Sequence, residues 1–305
     1  MRFSVVAIVV AIVNTVPLAA YDDSIAYLAP GGDVAVSFSI CAKCGSTSLF
    51  RALFRAIYGR DYQNRGRPWV HNWKFWPARG RPAGSELIPA QHLHNKTLKW
   101  KHFHVVRDPV ERYISAFFSK LRCCEVGETG PGGDPPRSKE LAVDAAHAAI
   151  ARKVCAYDVR DTPVILRSLI RAANSAATNE SLFADPILML LKEPTAKCVY
   201  FGEYVHLLAV ANRGKKTLNP HIRPQTVPAT MPGRDLWIGT IAELESSLNT
   251  FIDTAKVDGL RHIVVRTQHQ SNRKGLYPDA NSLAALCLLS AFEQKQLGMS
   301  EKPQC

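Results

Sequence analysis

The sequence predicts an α/β fold around a parallel sheet. Two observations carry the prediction: twice, a strand-like stretch is followed by a stretch with helical spacing, and no internal repeat or low-complexity tract interrupts the chain. Parallel strands need a crossover of a dozen residues or more, and a helix after each strand supplies it. In the first stretch Val34, Val36, Phe38 and Ile40 alternate with Ala35, Ser37 and Ser39, which reads as a strand. From Thr47 the period changes. Leu49, Phe50, Leu53, Phe54 and Ile57 share one helical face, Arg51 and Arg55 lie on the other, and Gly59 is a natural stop. Residues 60–84 are rich in Arg, Pro and Trp without a period, so they read as a long loop.

Residues 99–106 lead into the second strand, whose centre is Phe103, His104, Val105 and Val106. Asp108 suits the N-cap of the next helix, with Pro109 at its first position and Glu111 completing a capping box. Val110, Ile114, Phe117, Phe118 and Leu121 form the apolar side of that helix. Residues 123–139 hold four Gly and three Pro and read as a loop. Helical patterns follow over 140–154 and 164–173, then a short strand over 199–201 and a Pro-broken basic loop over 213–234. Ile241, Leu244, Leu248, Phe251 and Ile252 mark an amphipathic helix, and 281–297 marks the last.

The first twenty residues have the form of a targeting segment. Arg2 precedes an apolar run from Val5 to Val13; Asn14, Thr15 and Pro17 break it, and Ala19 and Ala20 are small enough for cleavage before Tyr21. A membrane span needs about 20 apolar residues, so a cleaved signal peptide is the first reading and an uncleaved anchor the second. Either one sends residues 21–305 into the secretory pathway as a single domain, destined for the Golgi lumen or for secretion. The triplets at Asn95 and Asn179 are N-glycosylation acceptors and agree with that route. Eight cysteines can pair in an oxidising lumen, among them Cys41 and Cys44 in a C-x-x-C. A zinc site would need a second ligand pair at suitable spacing, and adjacent Cys123 and Cys124 supply a poor one, so no metal is expected.

Lys and Arg number 38 against 26 Asp and Glu, a net charge of +12, which favours anionic partners. The secretory signal argues against nucleic acid and leaves acidic glycans or phosphorylated cofactors, with a membrane met only through the N-terminal segment. Two turns look built for such anions. Between the first strand and helix lie Lys43, Cys44, Gly45, Ser46, Thr47 and Ser48. A helix N-terminus with its N–H groups, three successive hydroxyls and a Lys suits a phosphate or sulfate. The nucleoside-triphosphate loop has G-x-x-x-x-G-K-[ST]; here the Lys precedes the Gly, which disfavours a kinase or triphosphatase. After the second strand, Arg107 stands at its mouth while Arg112 and Ser115 fall three apart on one helix face. That set can bind a second phosphate through charge-assisted bonds, or Arg112 can pair with Glu111 or Asp108 and Ser115 can be a small packing residue.

Together these turns resemble the donor-binding motifs of the sulfotransferases that use 3′-phosphoadenosine 5′-phosphosulfate (PAPS), above all the Golgi carbohydrate sulfotransferases of sulfotransferase family 2. The run from Lys43 to Leu49 resembles the family's 5′-phosphosulfate loop. The stretch from Leu93 through Arg107, Asp108 and Pro109 to Ser115, Ala116 and Phe117 resembles its 3′-phosphate segment. His221-Ile222-Arg223-Pro224-Gln225 is similar to a His-x-x-Pro-Gln element, and the stretch after Trp237 is similar to the one that follows it. The sequence departs from the family pattern at Ala42, where Pro is usual, at Cys44, and over 225–228, which lacks cysteines often found there.

The resemblance implies a P-loop-like sulfotransferase fold, a central parallel sheet flanked by helices, and PAPS as sulfate donor without a metal. It implies that Lys43 contacts the bridging region of the phosphosulfate and that Gly45, Ser46, Thr47 and Ser48 cradle the 5′-phosphate. Arg107 and Ser115 would bind the 3′-phosphate. The reaction implied is transfer of a sulfuryl group to a carbohydrate hydroxyl; a non-catalytic glycan-binding protein, or transfer to protein tyrosine or lipid, are the alternatives. A general base must lie within hydrogen-bond reach of the acceptor. His94 and His92 lead the candidates, with His71 and His221 behind. Trp69, Trp73 and Trp76, interleaved with Arg65, Arg67, Lys74, Arg79 and Arg81, either cover sugar faces and fork onto acidic groups or anchor their loop to the core.

Overall fold

The structure, a computed structural model, describes residues 24–31, 35–63, 70, 72–90, 100–124, 153–154, 161–176, 199–212, 218–225, 234–264 and 280–299. The chain divides into two compact units, Met1–Asp108 with Gln225–Gln268, and Pro109–Pro224 with His269–Cys305. The targeting segment, the two glycosylation triplets, and His71, His92 and His94 lie outside the described residues.

The first unit is mixed α/β. Its strands are β1 (Ile25–Leu28), β2 (Ala35–Ile40), β3 (Glu86–Pro89), β4 (Trp100–Val106) and, much later in the chain, β7 (Arg234–Thr240). They form one sheet in the order β3-β1-β2-β4-β7. β2, β4 and β7 run parallel as expected, with Phe38 beside Phe103 and Phe103 beside Trp237. β1 pairs antiparallel with both β2 and β3, so the sheet is mixed and only its core is parallel. Helices α1 (Ser46–Tyr58) and α5 (Leu244–Ala255) pack on the face carrying Val36, Phe38, Ile40, Phe103 and Val105. Phe251 of α5 meets the rings of Phe38, Phe103 and Trp237 at centroid distances of 5.9, 5.2 and 6.0 Å. Each such buried side chain contributes roughly 1.5–3 kcal/mol. Gly59 ends α1 in the left-handed conformation, its N–H bonded to Arg55 O at 2.8 Å. Ile241, expected inside a helix, precedes α5; its N–H bonds to Val106 O at 3.0 Å and so extends the β4–β7 pairing.

The opposite face of the sheet carries polar side chains. Ser37 and Ser39 of β2 and His102 and His104 of β4 are all nearly or fully buried. Ser37 Oγ meets His102 Nδ1, His102 Nε2 lies 2.7 Å from Ser39 Oγ, and Ser39 Oγ lies 2.7 Å from His104 Nδ1.

The second unit is helical. It holds α2 (Pro109–Lys120), α3 (Asp161–Ala176), α4 (Phe201–Ala211) and α6 (Ala280–Gln296), and a small ribbon of β5 (Cys123–Cys124) with β6 (Lys153–Val154). The helix expected over 140–154 therefore ends wrongly, because Lys153 and Val154 pair as a strand with Cys124 and Cys123. Its remainder lies outside the described residues. The short strand expected over 199–201 is also corrected. Val199 makes a single bridge with Arg122, and Phe201 opens α4, where the Tyr200 N–H donates to Glu203 Oε2 at 2.9 Å. Among the described residues no helix is long and apolar enough to cross a membrane.

Candidate active site

The site is built on the turn between β2 and α1. Cys44 N–H bonds to Cys41 O at 3.1 Å, closing a tight turn in which Lys43 occupies the third position. That position demands a positive φ in a type II turn and favours glycine; Lys43 nevertheless takes φ 66°. A left-handed non-glycine residue costs on the order of 1–3 kcal/mol and persists only where its surroundings fix it. Three contacts fix it here. Cys41 and Cys44 are joined as a disulfide with Cα atoms 5.3 Å apart. Arg107 Nη1 donates to Lys43 O at 3.1 Å. Both sulfurs lie against Gln225 Oε1, at 2.9 and 3.0 Å.

Gly45 then caps α1 with φ 97°, and no side chain caps that end. The helix starts on Gly45 O, which accepts the Leu49 N–H at 3.1 Å. Ser46, Thr47 and Ser48 form a half-buried first turn without an acidic residue. An anion at this end meets first-turn N–H groups and the positive end of the helix dipole. Glycine is required at 45 twice over: for its φ, and because a Cβ there would run into the Ile241 side chain. Gly45→Ala is expected to lower the unfolding free energy by about 2 kcal/mol, read from urea titration. A change below 0.5 kcal/mol would mean that the turn relaxes at no cost.

Arg107 follows β4 directly. Its N–H donates to Gln225 Oε1 at 2.9 Å, and its carbonyl accepts from Gln225 Nε2 at 2.7 Å. Gln225 is 5% exposed. Lys43 and Arg107, singled out separately in the sequence, are thus brought together. Gln225 was legible only as part of a family-like element, and nothing local in the sequence marks what it holds.

Other expected residues fall elsewhere. Ser115 is half-buried on α2, where its carbonyl accepts from Ser119 Oγ at 2.7 Å. Arg112 is corrected: it pairs with neither Glu111 nor Asp108 but is fully buried against Glu293 of α6, with Nη2 3.5 Å from Oε1. Tyr113 donates to the other oxygen of Glu293 at 2.9 Å, and its ring lies 4.3 Å from the Arg112 guanidinium carbon. Burial pushes the Tyr113 phenol far above its ordinary range, so it stays a neutral donor. A cation neutralised in this way belongs to the core of its unit.

His221 is half-buried, and its Nδ1 lies 2.8 Å from Asn219 Oδ1. An amide oxygen only accepts, so the ring proton sits on Nδ1 and the basic lone pair on Nε2. Of the tryptophans, Trp76 is a core anchor: it is buried, donates from Nε1 to Val70 O at 3.0 Å, and stands edge-on to Phe50, Phe54 and Tyr58. Trp73 packs partly against the same core, while Trp69 lies outside the described residues. Phe75 is the exposed ring of this loop, beside exposed Lys74.

Residues 34–162 match the model of the sulfotransferase family. No curated protein and no solved structure matches the chain. The match contains the β2 turn, Arg107 and α2, and with the mixed α/β sheet it supports sulfuryl transfer as the chemistry.

Proposed function

We propose that this chain, whose residues 34–162 carry the sulfotransferase family's sequence, transfers a sulfuryl group from PAPS to a carbohydrate hydroxyl, most naturally in an acidic glycan. The observation that carries the reading is the bond from Arg107 to the Lys43 carbonyl, which joins residues of two separate motifs beside one helix N-terminus that no side chain caps. PAPS, when bound, supplies the sulfuryl group and a phosphate leaving group. The work of the chain is to hold charge. Gly45, Ser46, Thr47 and Ser48 receive the 5′-phosphate, and Arg107 answers the 3′-phosphate. The Lys43 ammonium would answer the negative charge that grows on the departing phosphate oxygen, and a fixed cation there acts without reorganisation. The acceptor oxygen bonds to sulfur as the bond from sulfur to the 5′-phosphate oxygen breaks, and the acceptor proton passes to a base, for which His94 and His92 remain the first candidates. This chemistry asks for no metal.

Supporting the acceptor class are the net charge of +12 and the exposed Lys74 and Phe75 on the loop before β3. The Cys41–Cys44 disulfide supports an oxidising compartment, in keeping with the N-terminal segment and a Golgi or secreted location. The test is labelled PAPS with glycan, tyrosine-peptide and lipid acceptors, run on wild type and Lys43→Ala. We expect transfer to glycans and a loss of at least about 100-fold in the variant, the scale of removing one transition-state donor. Transfer confined to peptides or lipids would overturn the carbohydrate assignment. No transfer by folded wild type that still binds glycans would leave a non-catalytic binding protein.

A further inference from the structure

We propose that Gln225 is a positioning residue that sets the Lys43 turn and Arg107 against each other, using one side-chain amide as a clamp. Its orientation follows from the contacts. An acceptor must face the Arg107 N–H and a donor must face the Arg107 carbonyl, so Oε1 takes the former at 2.9 Å and Nε2 gives to the latter at 2.7 Å. The same Oε1 faces both sulfurs of the turn at 2.9 and 3.0 Å. Arg107, held at its backbone, reaches back with its guanidinium to the Lys43 carbonyl at 3.1 Å. The loop closes from the turn to Gln225, to Arg107, and back to the turn. Gln225 is nearly inaccessible and lies 118 residues from Arg107 and 181 from Cys44, so the clamp exists only in the folded unit. Its role is exerted through Arg107 and the Lys43 turn. The inference rests on the donor-site reading above for its nucleotide consequence, and on geometry alone for the clamp.

Two measurements separate those dependencies. The first is binding of 3′,5′-ADP and of 5′-AMP to wild type, Gln225→Met and Gln225→Glu. Met removes both amide contacts at similar volume, and Glu keeps the acceptor while losing the donor. The ratio of the two dissociation constants measures how well Arg107 is aimed, and partial unfolding alone leaves that ratio unchanged. We expect the preference for 3′,5′-ADP to fall about tenfold in Gln225→Met and less in Gln225→Glu, which also serves if the Met variant does not fold. A ratio within twofold of wild type in both variants overturns the proposal.

The second measurement needs no nucleotide. In a glutathione buffer two glutathione thiols reduce the Cys41–Cys44 bond to two thiols and become one glutathione disulfide, a two-electron exchange. Each thiol formed can donate to Gln225 Oε1, so the amide favours the reduced pair. Removing it should make the pair's reduction potential more negative, by up to about 30 mV for a tenfold change in the equilibrium constant. Failure of wild type to prefer 3′,5′-ADP would sink the donor reading, and the potential would then decide the clamp: a negative shift sustains it, and an unmoved potential overturns it.

Discussion

Replacing Glu293 with Leu is expected to destabilise the helical unit by about 3–5 kcal/mol, while the double change Arg112→Met with Glu293→Leu restores most of the loss. The side chains of Arg112 and Glu293 are 1% and 6% exposed. Two charges out of water are tolerable only as a pair. Glu293 answers Arg112 through one oxygen and the Tyr113 hydroxyl through the other, and Arg112 adds a longer contact of 3.4 Å to the His221 carbonyl. Deleting the carboxylate strands a guanidinium in a site that water does not reach, whereas deleting both leaves an apolar space that Met and Leu fill. Urea unfolding of the two single variants and the double variant gives the coupling directly. Single losses below 1 kcal/mol would mean that solvent reaches the pair. The experiment also bears on function: Arg112→Met in folded protein should leave 3′,5′-ADP affinity within about twofold, because its guanidinium belongs to the core and not to the donor. A tenfold loss would return Arg112 to the phosphate site.

Strands and helices were legible where one face contrasts with the other. The alternation in β2 and the sharp apolar stripe of α1 gave both elements to within a residue or two, as did Asp108-Pro109 for the start of α2. α4 was missed for the converse reason. Val205, Leu207, Leu208, Val210 and Ala211 are buried around nearly the whole helix, so no period separates an inner face from an outer one. β1 has four buried residues in a row and again no alternation, and β3 is four residues ending in Pro89. The antiparallel edge these two strands add could not be foreseen from a strand–helix rhythm. The expected sheet was therefore right at its parallel core and incomplete at its margin.

The donor turn was legible because its chemistry is local: a Lys, a Gly and three hydroxyls within six residues at the start of a helix. What holds the turn is not local. Arg107 and Gln225 reach it from 64 and 181 residues away along the chain, and no spacing rule predicts a side-chain amide closing on another residue's peptide group. Trp76 decides between two readings that the sequence left open. Basic residues nearby allowed a sugar platform as well as a core anchor, and its ring is used by Phe50, Phe54 and Tyr58.

His104 is expected to make the protein acid-sensitive well above the carboxylate range. Burial pushes its imidazole down to about 3, because the folded sheet withdraws the water that would solvate a cation. The serine–histidine chain beneath the sheet runs with one proton per ring: Ser39 donates to one imidazole nitrogen and accepts from the other, and Ser37 pairs with the remaining nitrogen of His102 in the same running direction. A second proton on His104 breaks that order. The unfolded chain binds a proton at an ordinary 6.5, so between pH 6.5 and 3 the unfolded state carries more protons than the folded state. Stability therefore rises with pH across that window and is lost as pH falls below 6.5. The slope is about 1.4 kcal/mol per pH unit from this group. From pH 7.5 to 4.5 the wild type should lose roughly 3 kcal/mol more than His104→Gln, which keeps a polar side chain but cannot take the proton. Urea titrations of both proteins at the two pH values measure the difference. Equal losses would mean that His104 takes up its proton as readily in the fold as in the unfolded chain, and that the acid sensitivity belongs to other groups.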